Sequence, residues 1–370
     1  MPATLRAAES TLDAIEELSS AGLSAQELLA EAAPRIDRVV PSDGYFVGAT
    51  DPQTTLCIGA GVTEGLPAEM CQPTWDYEFL VPDYMKFNDI AGSGRSVADL
   101  HEVTGGRPER SARWREYRAA TGFRAEVRAT FTLDRATWGI GQFDRLGDSP
   151  RYSDEEKAWL ERVGPVLARG LRKALLAQPA LAPADRGPGI VLVDEVGAVV
   201  SATREAAAWL DEVDATFNLS TAAGVPMPFE AYSYAARVRG AAQDDVRERV
   251  PRARVRTRTG VWLLMHGSML EGTDQLALVI EPAKAADVAP LIVEAYGFTQ
   301  RELEVTRLIA SGIGTSQIAA KPFLSPHTVR DHVKAVFEKV GVSSRGELVA
   351  KVFADHYAPI PHEAAAADAA

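Results

Sequence analysis

Cysteine is nearly absent from this 370-residue chain, which holds only Cys57 and Cys71. They make no metal-ligand or redox spacing with the scattered histidines, so zinc, haem and iron–sulfur chemistry have no sequence support. No cofactor is expected, and the two thiols read as free in a reducing compartment. A run of about 18 apolar residues is also missing, so no membrane span is expected. The opening MPATLRAAESTLDAIEEL is acidic and helix-like, without the basic flank and apolar centre of a signal peptide. The expected location is the cytoplasm. There is no G-x-x-x-x-G-K-[ST] phosphate loop. Nor is there a convergent Ser–His–Asp set or a carboxylate pair at a plausible site, so no enzymatic activity is expected.

Charge is of the wrong sign for a protein that coats nucleic acid. The net value is −12. The distribution matters more. Residues 295–351 carry eight Lys/Arg and five Asp/Glu, a net +3, while the remainder is at −15. A locally basic module on an acidic body fits site-specific binding with weak non-specific adhesion.

Two stretches read as linkers: QPALAPADRGPG at 178–189 and EPAKAADVAP at 281–290. They divide the chain into blocks 1–178, 188–284 and 295–357. The tail 358–370, APIPHEAAAADAA, has no periodic apolar face and reads as disordered. No internal repeat is visible. The first block is α+β. One or two helices span 4–39, GYFVGAT and TTLCIGAG form a hairpin, and a loop-rich, aromatic middle follows. EVRATFTL and WGIGQFDR alternate around a turn at Asp134–Arg135–Ala136. A final helix opens with the capping box Ser153/Glu156, and Pro165 is expected to kink or split it. The second block reads as strand, turn at Asp194–Gly197, strand and helix, then antiparallel strands in RVRTRTGVWLLMHGSML and QLALVIEPA.

The C-terminal block carries the sharpest pattern. Thr299 and Glu302 form a capping box ahead of Leu303, Leu308 and Ile309, and Gly312 closes that helix. A short second helix carries Ile318 and Ala319. A tight turn through Pro322 leads to Ser325 as N-cap and Pro326 at the first helical position. The helix from Pro326 ends at Gly341. Its inward face is Val329, Val333, Val336 (or Phe337) and Val340. Its outer face carries His327, Thr328, Arg330, Asp331 and Lys334. Polar groups on the first turns of such a helix suit the major groove, where base edges differ in donors and acceptors. An amphipathic bundle helix has the same periodicity, so the pattern alone does not decide between the two.

These residues resemble the LuxR/NarL (GerE-type) DNA-binding domain, a four-helix variant of helix-turn-helix. The resemblance rests on Thr299, Arg301, Glu302, Glu304, Val305, Gly312, Ile318, Ala319, Ser325, Thr328, Val329, His332, Val333, Lys339, Gly341, Val342, Arg345 and Leu348. It covers about a sixth of the chain. It implies base contacts from Arg330, Asp331 and Lys334, with Arg330 suited to guanine and Asp331 to a cytosine amino group. Lys339 is implied at base or phosphate. Thr315, Ser316, Ser325, Thr328 and Arg345 are implied phosphate contacts. A fourth helix from Arg345 is implied to pair two copies through Leu348, Val349 and Val352 over a symmetric double-stranded operator. Pro322 departs from the family's usual apolar residue.

The upstream blocks lack the acidic pocket of a phosphoacceptor receiver. The first resembles a GAF sensor domain through FRAEVRATFTLDRATWGIGQFDR and helix 154–176, and the second a PAS-like fold through DEVGAVVSATREAAAWL. The fold expected is therefore multidomain: an α+β GAF-like domain (1–178), a small α+β PAS-like domain (188–284), an all-α four-helix LuxR-type helix-turn-helix domain (295–357) and a tail. Domains of these two kinds often leave a cavity on one face of the sheet. Trp75, Tyr77, Phe79, Tyr84, Phe87 and Trp114 are aromatic candidates for its lining, with His101 and Arg124 to orient a polar group. An aromatic at such a position is more often a core residue than a ligand contact. The expected function is a dimeric, sequence-specific transcription regulator whose sensor blocks modulate DNA binding. A small-molecule effector or protein partner, and RNA polymerase, are the further partners considered. The alternative is a protein-interaction co-regulator with a weakened DNA reader.

Overall fold

The computed structural model describes residues 3–147, 149–177, 186–213, 218–219, 224–243, 252–310, 312–314, 317–318, 326–349 and 351. They fall into two compact units, one of residues 3–177 with 186–282 and the other of residues 283–351. No described helix is long and apolar enough to cross a membrane.

In the first unit, α1 (Ala3–Leu18) and α2 (Ala25–Val39) precede the hairpin β1 (Gly44–Thr50) and β2 (Cys57–Glu64). The stretch expected to be loop-rich is largely helical. It holds α3 (Cys71–Phe79), α4 (Phe87–Gly92), β3 (Val97–Asp99), α5 (Leu100–Val103) and α6 (Ala112–Glu116). These helices are too short to show a periodic stripe, and local caps set two of them: Asp99 accepts from the first turn of α5 and Ser111 from Trp114 N in α6. β4 (Phe123–Leu133) and β5 (Ala136–Leu146) form the second hairpin. Asp134 and Arg135, at φ +52° and +71°, make its two-residue turn, the sign at both positions that matches strand twist.

Helix α7 (Asp154–Ala177) begins at the expected capping box. Ser153 N donates to the Glu156 carboxylate at 2.7 Å, and Glu156 N to Ser153 Oγ at 3.2 Å. Pro165 lies inside α7 without splitting it. Trp159, Leu160, Val163, Leu167, Leu171 and Leu175 are all buried, as the spacing predicts. The period-2 alternation of β4 sends Val127, Ala129 and Phe131 toward this helix and Glu126, Arg128 and Thr130 to the other face. Gly139 permits the approach, since a Cβ there would come within 2.8 Å of Leu171 and Phe131.

The second sheet comprises β6 (Gly189–Val193), β7 (Val199–Ala202), β10 (Ala253–Arg256), β11 (Trp262–Met269) and β12 (Leu276–Pro282). Between β7 and β10 lie α8 (Arg204–Glu212), the short pair β8 (Asn218–Leu219) and β9 (Met227–Pro228), and α9 (Phe229–Gln243). The first sheet runs β2-β1-β5-β4-β3 and the second β10-β11-β12-β6-β7. Numbered from its own first strand, each reads 2-1-5-4-3, antiparallel throughout. The fold is thus duplicated although the sequence shows no repeat.

The two sheets share one apolar core. Phe229, at the start of α9, packs edge-on against Trp75 (centroids 4.7 Å apart) and Phe46 (5.5 Å) of the first sheet's layers. The same cluster continues through Tyr234, Val238, Leu263, Leu278 and Ile280. Polar ties flank it. Tyr232 donates to Asp76 at 2.7 Å, Gln72 to Val196 O at 2.8 Å, and Arg254 pairs with Asp51 at 3.1 Å.

The second unit contains α10 (Ala285–Ala295), α11 (Gln300–Ala310), α12 (Pro326–Val340) and α13 (Arg345–Val349). The stretch 281–290, expected to be a linker, instead ends β12 and begins α10. The Asp287 carboxylate accepts from Lys284 N at 3.0 Å and caps that start. The other expected linker lies outside the described residues over 178–185, as do Pro322 and the tail 358–370.

Candidate nucleic-acid interface

Helix α11 starts on the expected capping box. Thr299 N donates to the Glu302 carboxylate at 2.6 Å, and Glu302 N to Thr299 Oγ1 at 3.3 Å. Gly312, at φ +76°, closes the helix, with Ile313 N bonded to Leu308 O at 3.0 Å. The apolar stripes of α11 and α12 meet in a small core of Val305, Ile309, Ile318, Val329, Val336 and Val340. Gly341, at φ +70°, ends α12 where the sequence places the stop. Val333 and Phe337 depart from the expected inward face. Both are half-buried and floor a shallow groove of about 540 Å³ that Arg330, Lys334 and Val342 also line.

With one stripe of α12 inside, the others face solvent. Thr328, Arg330, Asp331 and Lys334 are all exposed. Asp331 lies 2.8 Å from His327 Nδ1, and Lys334 lies 3.8 Å from Glu338, both pairs wide open to water. Such pairs are weak and exchange readily for an external partner. The first two turns of α12 thus present donors and acceptors on a rigid rod whose back is held by the core.

Two implied contacts are placed differently. The Lys339 ammonium donates to Gly297 O at 2.7 Å and to the Glu302 carboxylate at 2.6 Å. It ties the end of α12 to the start of α11, so in the DNA-free chain it acts as a strut. Leu348 is fully buried within the unit and cannot present its side chain to a second copy, whereas Val349 is half-exposed. Arg345 donates to Ile313 O at 3.0 Å, tying α13 to the loop after α11. Thr315, Ser316, Ser325 and Val352 lie outside the described residues.

The residues chosen for a cavity in the first unit do not converge. Trp75, Phe79 and Phe87 stack in the core shared by the two sheets, and the cavity beside Trp75 and Phe87 is only about 20 Å³. Tyr77 donates to Glu116, and Tyr84 lies at the surface. Trp114 packs on a separate small cluster of Met85, Ile90 and Leu100. His101 Nε2 lies 3.0 Å from Arg124 O, while the Arg124 guanidinium turns to Ala119 O.

The face of the first sheet that these residues were expected to line is occupied by charge. Arg113, Arg118 and Arg128, each 1% exposed, surround Glu126 at 3.1, 3.3 and 2.7 Å. Asp83, Glu78 and Asp144 complete the network on the outer side of the three guanidiniums. Burial alone raises the Glu126 carboxyl, but the three cations reverse this and hold it far below the usual carboxylate range. Glu126 and Arg128 alternate with apolar residues in β4, the one sequence signal that points to them. Among the described residues no group of three or more His, Cys, Asp or Glu is arranged to hold a metal ion.

Comparison with known proteins places the second unit. Residues 297–352 match the family model described as bacterial regulatory proteins, luxR family. A probable transcriptional regulatory protein NarL of Mycobacterium tuberculosis is 41% identical over 68 residues, 18% of this chain and 29% of the relative. The oxygen regulatory protein NreC of Staphylococcus aureus is 45% identical over 51 residues, 14% of this chain and 24% of the relative. The chain therefore spans less than a third of the length of these relatives. A phycoerythrobilin-bound GAF domain from a cyanobacterial phytochrome aligns over 46% of this chain and 96% of its own, at 14% identity and a TM-score of 0.30, too low to carry an argument. Match and geometry agree over the same helices, and residues 297–352 are a DNA-binding domain of the luxR family of bacterial regulatory proteins.

Proposed function

We propose that this protein is a transcription regulator that binds a two-fold symmetric operator as a homodimer, laying α12 in the major groove. One observation carries the reading: α12 buries Val329, Val336 and Val340 and exposes Thr328, Arg330, Asp331 and Lys334 inside the luxR-family match. In this reading Arg330 and Asp331 address base edges, and Lys334 addresses base or phosphate. Thr315, Ser316, Ser325 and Thr328 are candidates for the backbone. Exposed α13 surface around Val349, and Val352 beyond it, serves the dimer. The two sheets act as GAF-like and PAS-like sensor modules over 1–178 and 188–284, and they bias DNA affinity through a small effector or a protein partner. RNA polymerase is the downstream contact of such a regulator. The protein acts in the cytoplasm and catalyses no reaction.

Selection from random duplex DNA with the full chain, at two salt concentrations, tests this. The expected result is one enriched symmetric site whose affinity falls with salt at a log–log slope of about −0.9 per phosphate neutralised. Absence of any enriched sequence would replace this reading with that of a protein-interaction co-regulator.

A further inference from the structure

Four exposed side chains of α12 fall on one line. His327, Asp331, Lys334 and Glu338 are spaced four, three and four residues apart, which stacks them on a single helical stripe, and Arg330 flanks it. This stripe lies opposite the buried one of Val329, Val336 and Val340, so it is the side of the helix that a groove receives. Its fixed charges cancel, with Arg330 and Lys334 set against Asp331 and Glu338. A stripe with no net charge gains nothing from a polyanion as a whole, and Asp331 by itself is repelled by one. The charge of His327 therefore decides the sign of this surface.

The geometry at His327 fixes what each ring nitrogen can do. Nδ1 lies 2.8 Å from Asp331 Oδ2. A carboxylate only accepts, so Nδ1 carries a hydrogen. In the neutral ring Nε2 then holds a lone pair, which repels a phosphate oxygen. A proton on Nε2 makes it a donor and the ring a cation. The charges around the ring are divided. Asp331 favours the cation. The positive end of the α12 dipole, where His327 is the second residue, opposes it, as does Arg330 three residues on. Helix α11, packed behind the buried stripe, commits its charges elsewhere: Glu302 to Lys339 at the far end of α12, and Arg301 to Glu304. Glu347 of α13 accepts from Ser343. His332 lies about 140° round the helix from His327. The side chains of His327 and Asp331 are 85% and 63% exposed, so water screens the pair in the free chain. A DNA groove excludes that water and brings phosphates, and both changes favour the imidazolium.

We propose that His327 is a positioning residue of the DNA reader and takes up a proton when α12 enters the groove. Its imidazolium donates through Nδ1 to one oxygen of Asp331 and leaves the other oxygen free to accept from a base amino group. Through Nε2 it donates to a phosphate. The proton comes from solvent and returns to it on dissociation, so affinity falls as pH rises. The inference rests on the reading of α12 as the DNA contact.

The test is fluorescence anisotropy of the full chain on the duplex that selection enriches, at about pH 6 and about pH 8 and one ionic strength, a window that spans the ordinary titration of imidazole. Wild type is expected to bind about fivefold tighter at the lower pH, by proton linkage. His327→Gln keeps a donor without the charge, and should lose that gain. His327→Arg is a permanent cation, and should bind at the higher pH as tightly as wild type does at the lower. Both variants replace an exposed side chain, so the fold of the unit is kept. The base-pair preference that Asp331→Ala removes should also relax in His327→Gln. A gain that survives in His327→Gln, or an arginine variant no tighter than the glutamine variant at the higher pH, would overturn the proposal and leave DNA reading standing. Binding to no duplex at either pH would overturn both.

Discussion

The ammonium of Lys339 lies 2.6 Å from the carboxylate of Glu302, joining the last turn of one helix to the first turn of another in the DNA-reading unit. Glu302 is also the capping residue of α11, so one carboxylate fixes both the start of that helix and its angle to α12. Lys339→Met removes the strut and keeps the stem. Expected is a loss of about 1 kcal/mol in the local stability of α11, since a charge-assisted bond to a partly exposed lysine is worth no more. Hydrogen exchange at the Val305–Ile309 amides in the full chain reads it.

The same pair sets an acid limit. Burial raises the Glu302 carboxyl, but the Lys339 ammonium and the two Thr299 bonds outweigh it, so its folded value lies below the ordinary one. A depressed folded value stabilises the unit above the unfolded value of about 4.3 and loses that contribution as pH falls through the folded value. The exchange difference between wild type and Lys339→Met should therefore be constant near neutrality and shrink below about pH 4.3. A difference independent of pH would show that the pair does not carry it.

Arg330 and Lys339 should separate on DNA. Arg330→Ala should cost about 1–3 kcal/mol at the selected site and relax preference at one base pair. Lys339→Met should leave the salt slope unaltered, because its ammonium is engaged inside the unit. Binding isotherms over a salt series distinguish them. A slope reduced by about one in Lys339→Met would return that lysine to the phosphate backbone.

Glu126 is the hinge of the buried charge network. Glu126→Gln leaves three guanidiniums around a neutral amide and should cost about 3–5 kcal/mol, the scale for breaking a buried ion pair from one side. Urea melts followed by tryptophan fluorescence report this unit alone, because all six tryptophans precede residue 283. A loss under about 1 kcal/mol would mean that the charge of Glu126 is not needed there.

The reading helix was legible in the sequence because every local signal agreed: a periodic valine stripe, Pro326 at its start and Gly341 at its end. Helix α9 was not. Ten of its fifteen residues are buried, so it has no polar face and hence no stripe to read. Residue type alone marks the aromatics as cavity candidates, and the structure uses Trp75, Phe79 and Phe87 to join two sheets, a role that no spacing within one block reveals.

Phe229 has a consequence for how the first unit breaks. Its ring belongs to the second sheet's covalent neighbourhood but is lodged between Phe46 and Trp75 of the first. Neither half can melt without laying bare the aromatic surface of the other, which couples their unfolding into one cooperative step. A chain severed near residue 178 would yield two sticky fragments and not two independent receptors, and strain arriving at either sheet is shared by both.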